Sequence, residues 1–243
     1  MAADPPPADP SPDDLRARAE AAEAALDALA GALAHDLRAP VRAIDGFSQI
    51  LLAPRHADGL PDDTRRFLGL LRDAGADLAG RLDDLVDLVR TARAPLARRD
   101  VDPGALAREL VDAVLAPRAP DVAWTIAPGL PRCRADRAQL RRLLEELLDN
   151  AARSGARRVE LAWDGGRDAY AVRDDGRGFD GELPERALAL FGRLPGADAH
   201  DGTGAGLALA AQIAARHGGR IWGRGTPGAG ATLWFTIGED AGR

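Results

Sequence analysis

The sequence predicts an α+β chain in two parts, an N-terminal helical hairpin followed by an α/β sandwich. Apolar residues recur at alternating steps of three and four through two long stretches, separated by a break rich in Pro and Gly. The pattern then changes to short alternating runs interleaved with capped helical segments. With 243 residues, the chain has length for one large domain or two modest ones, each with its own core.

Residues 1–14 are rich in Pro and Asp, with no basic or apolar region, and read as a disordered tail rather than a signal peptide. From about Leu15 a helix is expected to run to about Ala53, on the order of 60 Å at 1.5 Å per residue. Its seam is Leu26, Leu29, Leu33, Leu37, Pro40, Ile44, Phe47 and Leu51. Pro54 to Pro61 breaks it, and a second seam follows at Phe67, Leu71, Ala74, Leu78, Leu82, Leu85 and Val89. Two long helices joined by a short loop make an antiparallel hairpin. Each helix offers an apolar stripe and the hairpin only one contact, so a homodimer is expected in which two copies form a four-helix bundle. Residues 15–94 are assigned to this hairpin and residues 95–243 to the second domain.

In the second domain Asp102 or Pro103 starts a helix to about Leu115, Val122 to Ile126 reads as a strand, and Asp136 caps a helix from Arg137 to about Ser154. Two alternating strands follow, Arg158 to Trp163, with Val159, Leu161 and Trp163 on one face, and Ala169 to Asp174. A Gly-rich segment opens a helix from Gly204 to His217 that ends at Gly218-Gly219. Arg220 to Gly223 and Ala231 to Ile237 are the last strands.

Composition excludes several function classes. All 32 basic residues are Arg. Without Lys there is neither a phosphate loop ending in Gly-Lys-Ser/Thr nor a Schiff-base lysine. A net charge of -6 argues against nucleic-acid binding. The single cysteine, Cys133, forbids an intrachain disulfide and reads as a buried structural residue. No run approaches 18 apolar residues, so no membrane span is expected, and the chain reads as cytoplasmic.

Four constellations carry chemistry. Stepping 100° per residue around the first helix puts His35 opposite the buried stripe, its imidazole toward solvent, with Asp36 beside it and Pro40 bending the rod nearby. Such an imidazole suits a nucleophile approached by a second domain, its proton taken by the adjacent carboxylate. A surface histidine without a role is the plainer alternative. Next, Glu146, Asn150 and Arg153 stand at i, i+4 and i+7 on one flank of the helix from Arg137. Hard oxygens and a fixed cation can serve Mg²⁺ and phosphates together, although the same spacing also suits a solvated helix face. Asn150 is the only Asn in the chain, which favours the functional reading.

Third, Asp174 ends a strand and is followed by Gly176 and Gly178. That arrangement can accept a hydrogen bond from an exocyclic amine while a flat ring approaches the backbone, but Asp-Gly turns are common. Fourth, Gly202, Gly204 and Gly206, running into Leu207, open a helix as an anion cradle, a weak signal when alone.

Together and in this order the segments resemble the transmitter region of a sensor histidine kinase of a two-component system. His35 to Pro40 resembles the H box of that family, Leu143 to Arg153 the N box, and Asp174 to Gly178 the first glycine box. Leu190 to Leu194 resembles the F box and Gly202 to Leu207 the second glycine box. His217 to Trp222 and Pro227 to Thr232 match the usual ending.

The resemblance implies a phosphoacceptor and dimerisation hairpin followed by an ATP-binding sandwich of the histidine-kinase ATPase type. His35 would take the γ-phosphoryl group of ATP, with Asp36 as proton acceptor, and pass it to an aspartate on a response regulator receiver domain. Asn150 would ligate Mg²⁺, supported by Glu146, and Arg153 and Arg193 would meet the phosphates. Asp174 would read the adenine amine, while Gly176, Gly178, Gly202, Gly204, Gly206 and Leu207 shape the pocket and its lid. A catalytically silent dimeric nucleotide-binding scaffold of the same fold is the alternative.

Some positions depart from the family pattern. Glu146 stands where Asn is usual, Arg153 where Lys is usual, and Ser154 where an aromatic often stacks near adenine, implying weaker nucleotide binding. Ala39 replaces a Thr or Asn that orients water, implying weak or absent phosphatase activity. No sensor or receiver segment is recognised, so input is expected from a separate sensor protein or from the start of the first helix, or is missing.

Overall fold

The structure is a computed structural model that describes residues 11, 21, 31–32, 36–53, 56, 59–192 and 203–238. Residues 36–52 are helical (α1), and a second helix, α2, covers Asp62–Arg93. Asp62 and Asp63 open α2 and Arg90 and Arg93 close it, each complementing the partial charge of its helix end. The chain divides into two compact units between Leu82 and Asp83, so the last part of α2 belongs to the second unit.

In the first unit α1 buries Val41 and Ser48, 3% and 4% exposed, two turns apart on one side. The Ser48 hydroxyl is satisfied within α1, donating to the Ile44 carbonyl at 2.7 Å. At Gly75 on α2 a Cβ would lie 3.8 Å from both Asp45 N and Ile44 Cγ2, so the two helices pack there at van der Waals distance. Of the expected seam, Leu82 is buried and Ile44 touches this contact, whereas most of the other apolar residues face elsewhere. Leu37, Ile44, Phe47, Leu51, Phe67, Leu71 and Leu78 are all exposed, Phe47 at 67% and Phe67 at 61%. Leu26, Leu29 and Leu33 lie outside the described residues.

The second unit is a two-layer sandwich. Among the described residues eight strands, β1 Arg98–Val101, β2 Ala123–Ile126, β3 Cys133–Asp136, β4 Arg158–Asp164, β5 Ala169–Asp174, β6 Gly181–Glu182, β7 Ile221–Thr226 and β8 Gly230–Phe235, form two sheets. The large sheet runs β2-β4-β5-β8-β7-β6, and β1 pairs with β3 in a separate antiparallel ladder. Only the β2–β4 pair in the large sheet is parallel.

Three helices cover one face of the sheet. The first, α3, spans Pro103–Leu110 and begins as expected at Asp102, whose Oδ1 accepts from Ala105 N at 2.9 Å. The turn beyond Leu110 widens to π geometry over Val111–Leu115 and ends in one α turn, Ala116–Arg118, where a single helix to Leu115 was expected. Helix α4 spans Arg137–Arg153, capped by Asp136 Oδ1, which accepts from Ala138 N at 3.0 Å and Gln139 N at 3.1 Å. Helix α5 spans Gly206–Arg216, starting two residues later than expected.

Leu140, Leu144, Leu147 and Ala151 of α4 meet Val159 and Leu161 of β4, Val172 of β5 and Phe235 of β8 in one core. The other face of the sheet is covered by its own side chains. Trp234 packs on Ala169 and Ala171, stacks on Trp222 at 6.3 Å between ring centroids, and donates from Nε1 to Asp164 Oδ2 at 2.9 Å. The Arg167 guanidinium lies 4.5 Å over Trp234 and that of Arg220 lies 4.8 Å over Trp222. Cys133 is half-buried, less enclosed than expected, and burial pushes its thiol up.

His217, at the end of α5, is buried and ties three elements together. Its Nε2 accepts from Asp136 N at 3.1 Å, so Nδ1 carries the proton and donates to the Ile213 carbonyl at 2.8 Å. Burial lowers its pKa, and the Arg98 and Arg216 charges lower it further, against the carboxylate of Asp136. A histidine with a lowered folded pKa stabilises the fold fully above its unfolded value, about 6.5, and loses that contribution as pH falls toward the folded value. Thermal unfolding between pH 7.5 and pH 5.5 is therefore expected to move to lower temperature in acid for the wild type (both about one unit from the ordinary imidazole value). The shift is expected to be smaller in His217→Gln. An equal shift in both proteins would assign the acid loss to another group.

Candidate active site

The core stripe of α4 sets its rotation and turns an adjacent flank toward the start of α5. Glu146 is half-buried on this flank, and Asn150 and Arg153 are exposed. A Cβ at Gly206, the first residue of α5, would fall 2.5 Å from Glu146 Oε2, so the carboxylate occupies the space that glycine leaves. This sets a negative charge against the positive end of α5. Burial raises the Glu146 pKa, and the nearby carboxylates of Asp149, Asp84 and Glu145 raise it further. Arg142 opposes this from 3.9 Å, while its other nitrogen donates to Asp87 Oδ2 at 2.7 Å. Arg153 is paired with Asp149 one turn back. The Thr203 hydroxyl, at the start of the second glycine segment, is hydrogen-bonded to Asp84 on the last part of α2.

Asp174 closes β5 beside the C terminus of α4. Its Oδ1 accepts from Gly176 N at 2.9 Å and from Ser154 Oγ at 3.1 Å. Burial pushes its carboxyl up, against these hydrogen bonds. A Cβ at Gly176 would fall 1.8 Å from Ser154 Oγ. Gly178 has φ +61 and its Cβ would fall 2.2 Å from the Thr226 carbonyl oxygen, so both its conformation and its surroundings require glycine. At Gly204 a Cβ would fall 2.9 Å from the Gly192 carbonyl oxygen and 3.1 Å from the Phe191 carbonyl carbon, which brings the F-box segment against the second glycine segment. Phe191 is itself held at φ +61, a conformation uncommon for a residue with a Cβ.

The expected site residues thus form two groups in the second unit. One joins Glu146 of α4 to Gly206 at the start of α5, with Asn150 and Arg153 farther along α4. The other joins Asp174 to Gly176 and Gly178. Asp36 lies in the first unit and is exposed. His35, Arg193 and Gly202 lie outside the described residues. Sequence reasoning missed three contacts: Ser154 on Asp174, Thr203 on Asp84, and Arg142 between Asp87 and Glu146. Of these only Ser154 carried a signal, as an unusual residue inside a recognised motif.

Among the described residues no group of three or more His, Cys, Asp or Glu side chains is arranged to hold a metal ion. The donor set on α4 nevertheless fits a hard cation that takes most of its ligands from water and phosphate. It offers one exposed amide oxygen at Asn150 and, one turn away, the Glu146 carboxylate amid like charge.

Residues 25–93 match the family model of the His Kinase A (phospho-acceptor) domain, and residues 135–241 match that of the histidine kinase-, DNA gyrase B-, and HSP90-like ATPase. The chain belongs to the histidine kinase family, of which it is a transmitter region. It is 31% identical over 229 residues to the phytochrome-like protein Cph1 of Synechocystis sp., matching 90% of this chain and 30% of that one. It is 33% identical over 222 residues to the sensor histidine kinase ZraS of Klebsiella oxytoca, matching 88% of this chain and 46% of that one. The chain thus spans less than half the length of these relatives. Among solved structures, full-length ShkA in complex with AMPPNP superposes with a TM-score of 0.56 at 29% identity, covering 85% of this chain and 44% of ShkA. Among the described residues no helix is long and apolar enough to cross a membrane.

Proposed function

We propose that this chain is an ATP-dependent protein-histidine kinase that phosphorylates itself on His35 and passes the phosphoryl group to an aspartate of a response regulator receiver domain. The observation that carries this reading is the apposition of Glu146 to Gly206. It sets the α4 flank bearing the only Asn of the chain beside the N terminus of a glycine-opened helix, the arrangement that a polyphosphate requires.

In this reading Asp174 accepts the exocyclic amine of adenine, and the glycines let base and phosphates approach the backbone. Arg153 exchanges Asp149 for phosphate oxygens, and Arg193 reaches the γ-phosphate. Asn150, with Glu146 behind it, holds Mg²⁺, which when bound neutralises phosphate charge. A ring nitrogen of His35 forms the bond to the γ-phosphorus as the bridging P–O bond breaks. ADP leaves with that electron pair, and the ring proton passes to Asp36. Transfer to the receiver aspartate then frees the imidazole. The domains are 15–94 and 95–243, and the exposed apolar seam of α1 and α2 supports a homodimer built as a four-helix bundle. The chain acts in the cytoplasm.

The test is incubation of the full chain with γ-labelled ATP and Mg²⁺. Acid-labile, base-stable label on the wild type and none on His35→Gln is expected. Nucleotide binding without any label would overturn the kinase reading in favour of the silent scaffold.

A further inference from the structure

We propose that Ser154 is a positioning residue for the nucleobase: its hydroxyl holds the Asp174 carboxylate in the orientation that accepts an exocyclic amine. The proposal rests on the reading of Asp174 as the adenine acceptor and assigns a task to a residue that the resemblance marks only as a departure.

Ser154 is held rigidly. It is the C-cap of α4, with φ -67 and ψ 0. Its N–H donates to the carbonyls of Asn150 at 3.1 Å and Ala151 at 3.2 Å, and its own carbonyl accepts from Arg177 N at 3.0 Å. The hydroxyl lies 2.7 Å from the Ala151 carbonyl oxygen and 3.1 Å from Asp174 Oδ1. A hydroxyl has one proton for these two acceptors. The Ala151 carbonyl already receives the Ser154 N–H, so turning the hydroxyl toward Asp174 leaves no buried acceptor unpaired.

Asp174 is correspondingly constrained. Ser154 and Gly176 donate to the same oxygen, and with no room for a Cβ between them at Gly176 they grip it from two sides. An ionised carboxylate has about four acceptor sites. Both protein donors fall on Oδ1, which leaves the other oxygen for a ligand, and an amine on C6 of a purine is the donor that such a site takes. An aromatic side chain at position 154 would contribute stacking common to all purines. Serine contributes a hydrogen bond to the residue that tells them apart, so selectivity here depends on the amine more than on the ring.

The experiment is equilibrium binding of ATP and of inosine 5′-triphosphate, which carries a carbonyl in place of the amine, to the full chain as wild type, Ser154→Ala and Asp174→Asn. Loss of one hydrogen bond to the ionised carboxylate is expected to weaken ATP binding to Ser154→Ala by about five- to tenfold. Binding of inosine 5′-triphosphate is expected to stay within about twofold, since the group it presents makes no use of that bond. Burial already favours the neutral carboxyl, so losing a donor also moves the acid loss of ATP affinity to higher pH in Ser154→Ala. Equal weakening of both nucleotides, or of neither, would overturn the proposal. If Asp174→Asn loses the preference for ATP while Ser154→Ala retains it with an unmoved pH profile, Ser154 alone is misread. If Asp174→Asn keeps the preference, the reading of Asp174 falls first.

Discussion

Asn150→Asp is expected to lower the rate of label incorporation at His35 by at least about 100-fold, the scale for removing a preorganised electrostatic contribution to a transition state. The fold should not notice the change. Asn150 is exposed on α4, outside the stripe of Leu140, Leu144, Leu147 and Ala151 that holds the helix to the core, so the melting temperature should stay within a degree or two. The site should notice it. Glu146 already has Asp149, Asp84 and Glu145 as neighbours, with burial raising its pKa. A further carboxylate on this flank replaces a neutral amide oxygen with a full charge where the proposed function places the phosphates. Steady-state labelling of wild type and variant at saturating Mg²⁺ measures the effect. Unaltered labelling would show that the metal is not held at Asn150.

Gly178→Ala is expected to be a severely damaging single-methyl change in the second unit. Its φ of +61 alone costs an alanine about 1 kcal/mol. The larger cost comes from the two carbonyl oxygens, of Thr226 and Gly230, 2.2 Å and 2.5 Å from the new Cβ. Both are backbone atoms at the β7–β8 turn, so relief requires moving the hairpin and not a side-chain tip. Roughly 3 kcal/mol in all corresponds to a fall of about 10 °C in melting temperature for a domain of this size, with loss of ATP binding. Gly129→Ala is the control. Its φ is +74 and nothing lies within 4 Å of its Cβ, so it carries the conformational cost alone. Equal losses in the two variants would mean that the packing at Gly178 yields easily.

The parts of the fold legible in the sequence are those whose signal is local. Asp136 capping α4, Asp102 capping α3, the leucine period of α4 and the alternation in β4 are complete within a few residues, and each stands where expected. The parts that were not legible depend on distant partners. Strand β1, Arg98–Val101, has a single apolar residue and is a strand only because β3 pairs with it. The parallel pairing of β2 with β4 spans a helix and has no local trace. In the hairpin the spacing identified the apolar residues correctly but not what they face. Val41, Ser48 and Gly75 mark the contact within one chain, and most of the seam is left over. At the site, motif spacing located Asp174 and the glycines, whereas the contact of Glu146 with Gly206 joins residues far apart in the chain and belongs to no pattern.

The stacked tryptophans on the outer face of the sheet give the molecule a built-in optical label. All four tryptophans, Trp124, Trp163, Trp222 and Trp234, stand on strands of the second unit, and the hairpin has none. Intrinsic fluorescence therefore follows the nucleotide-binding unit alone, with Trp234 quenched or released as Arg167 and Asp164 hold or leave it. Far-ultraviolet ellipticity carries in addition the long helices of the hairpin. A denaturation recorded by both signals at once resolves, in one unmodified chain, whether phosphoacceptor and nucleotide-binding parts unfold together or in turn.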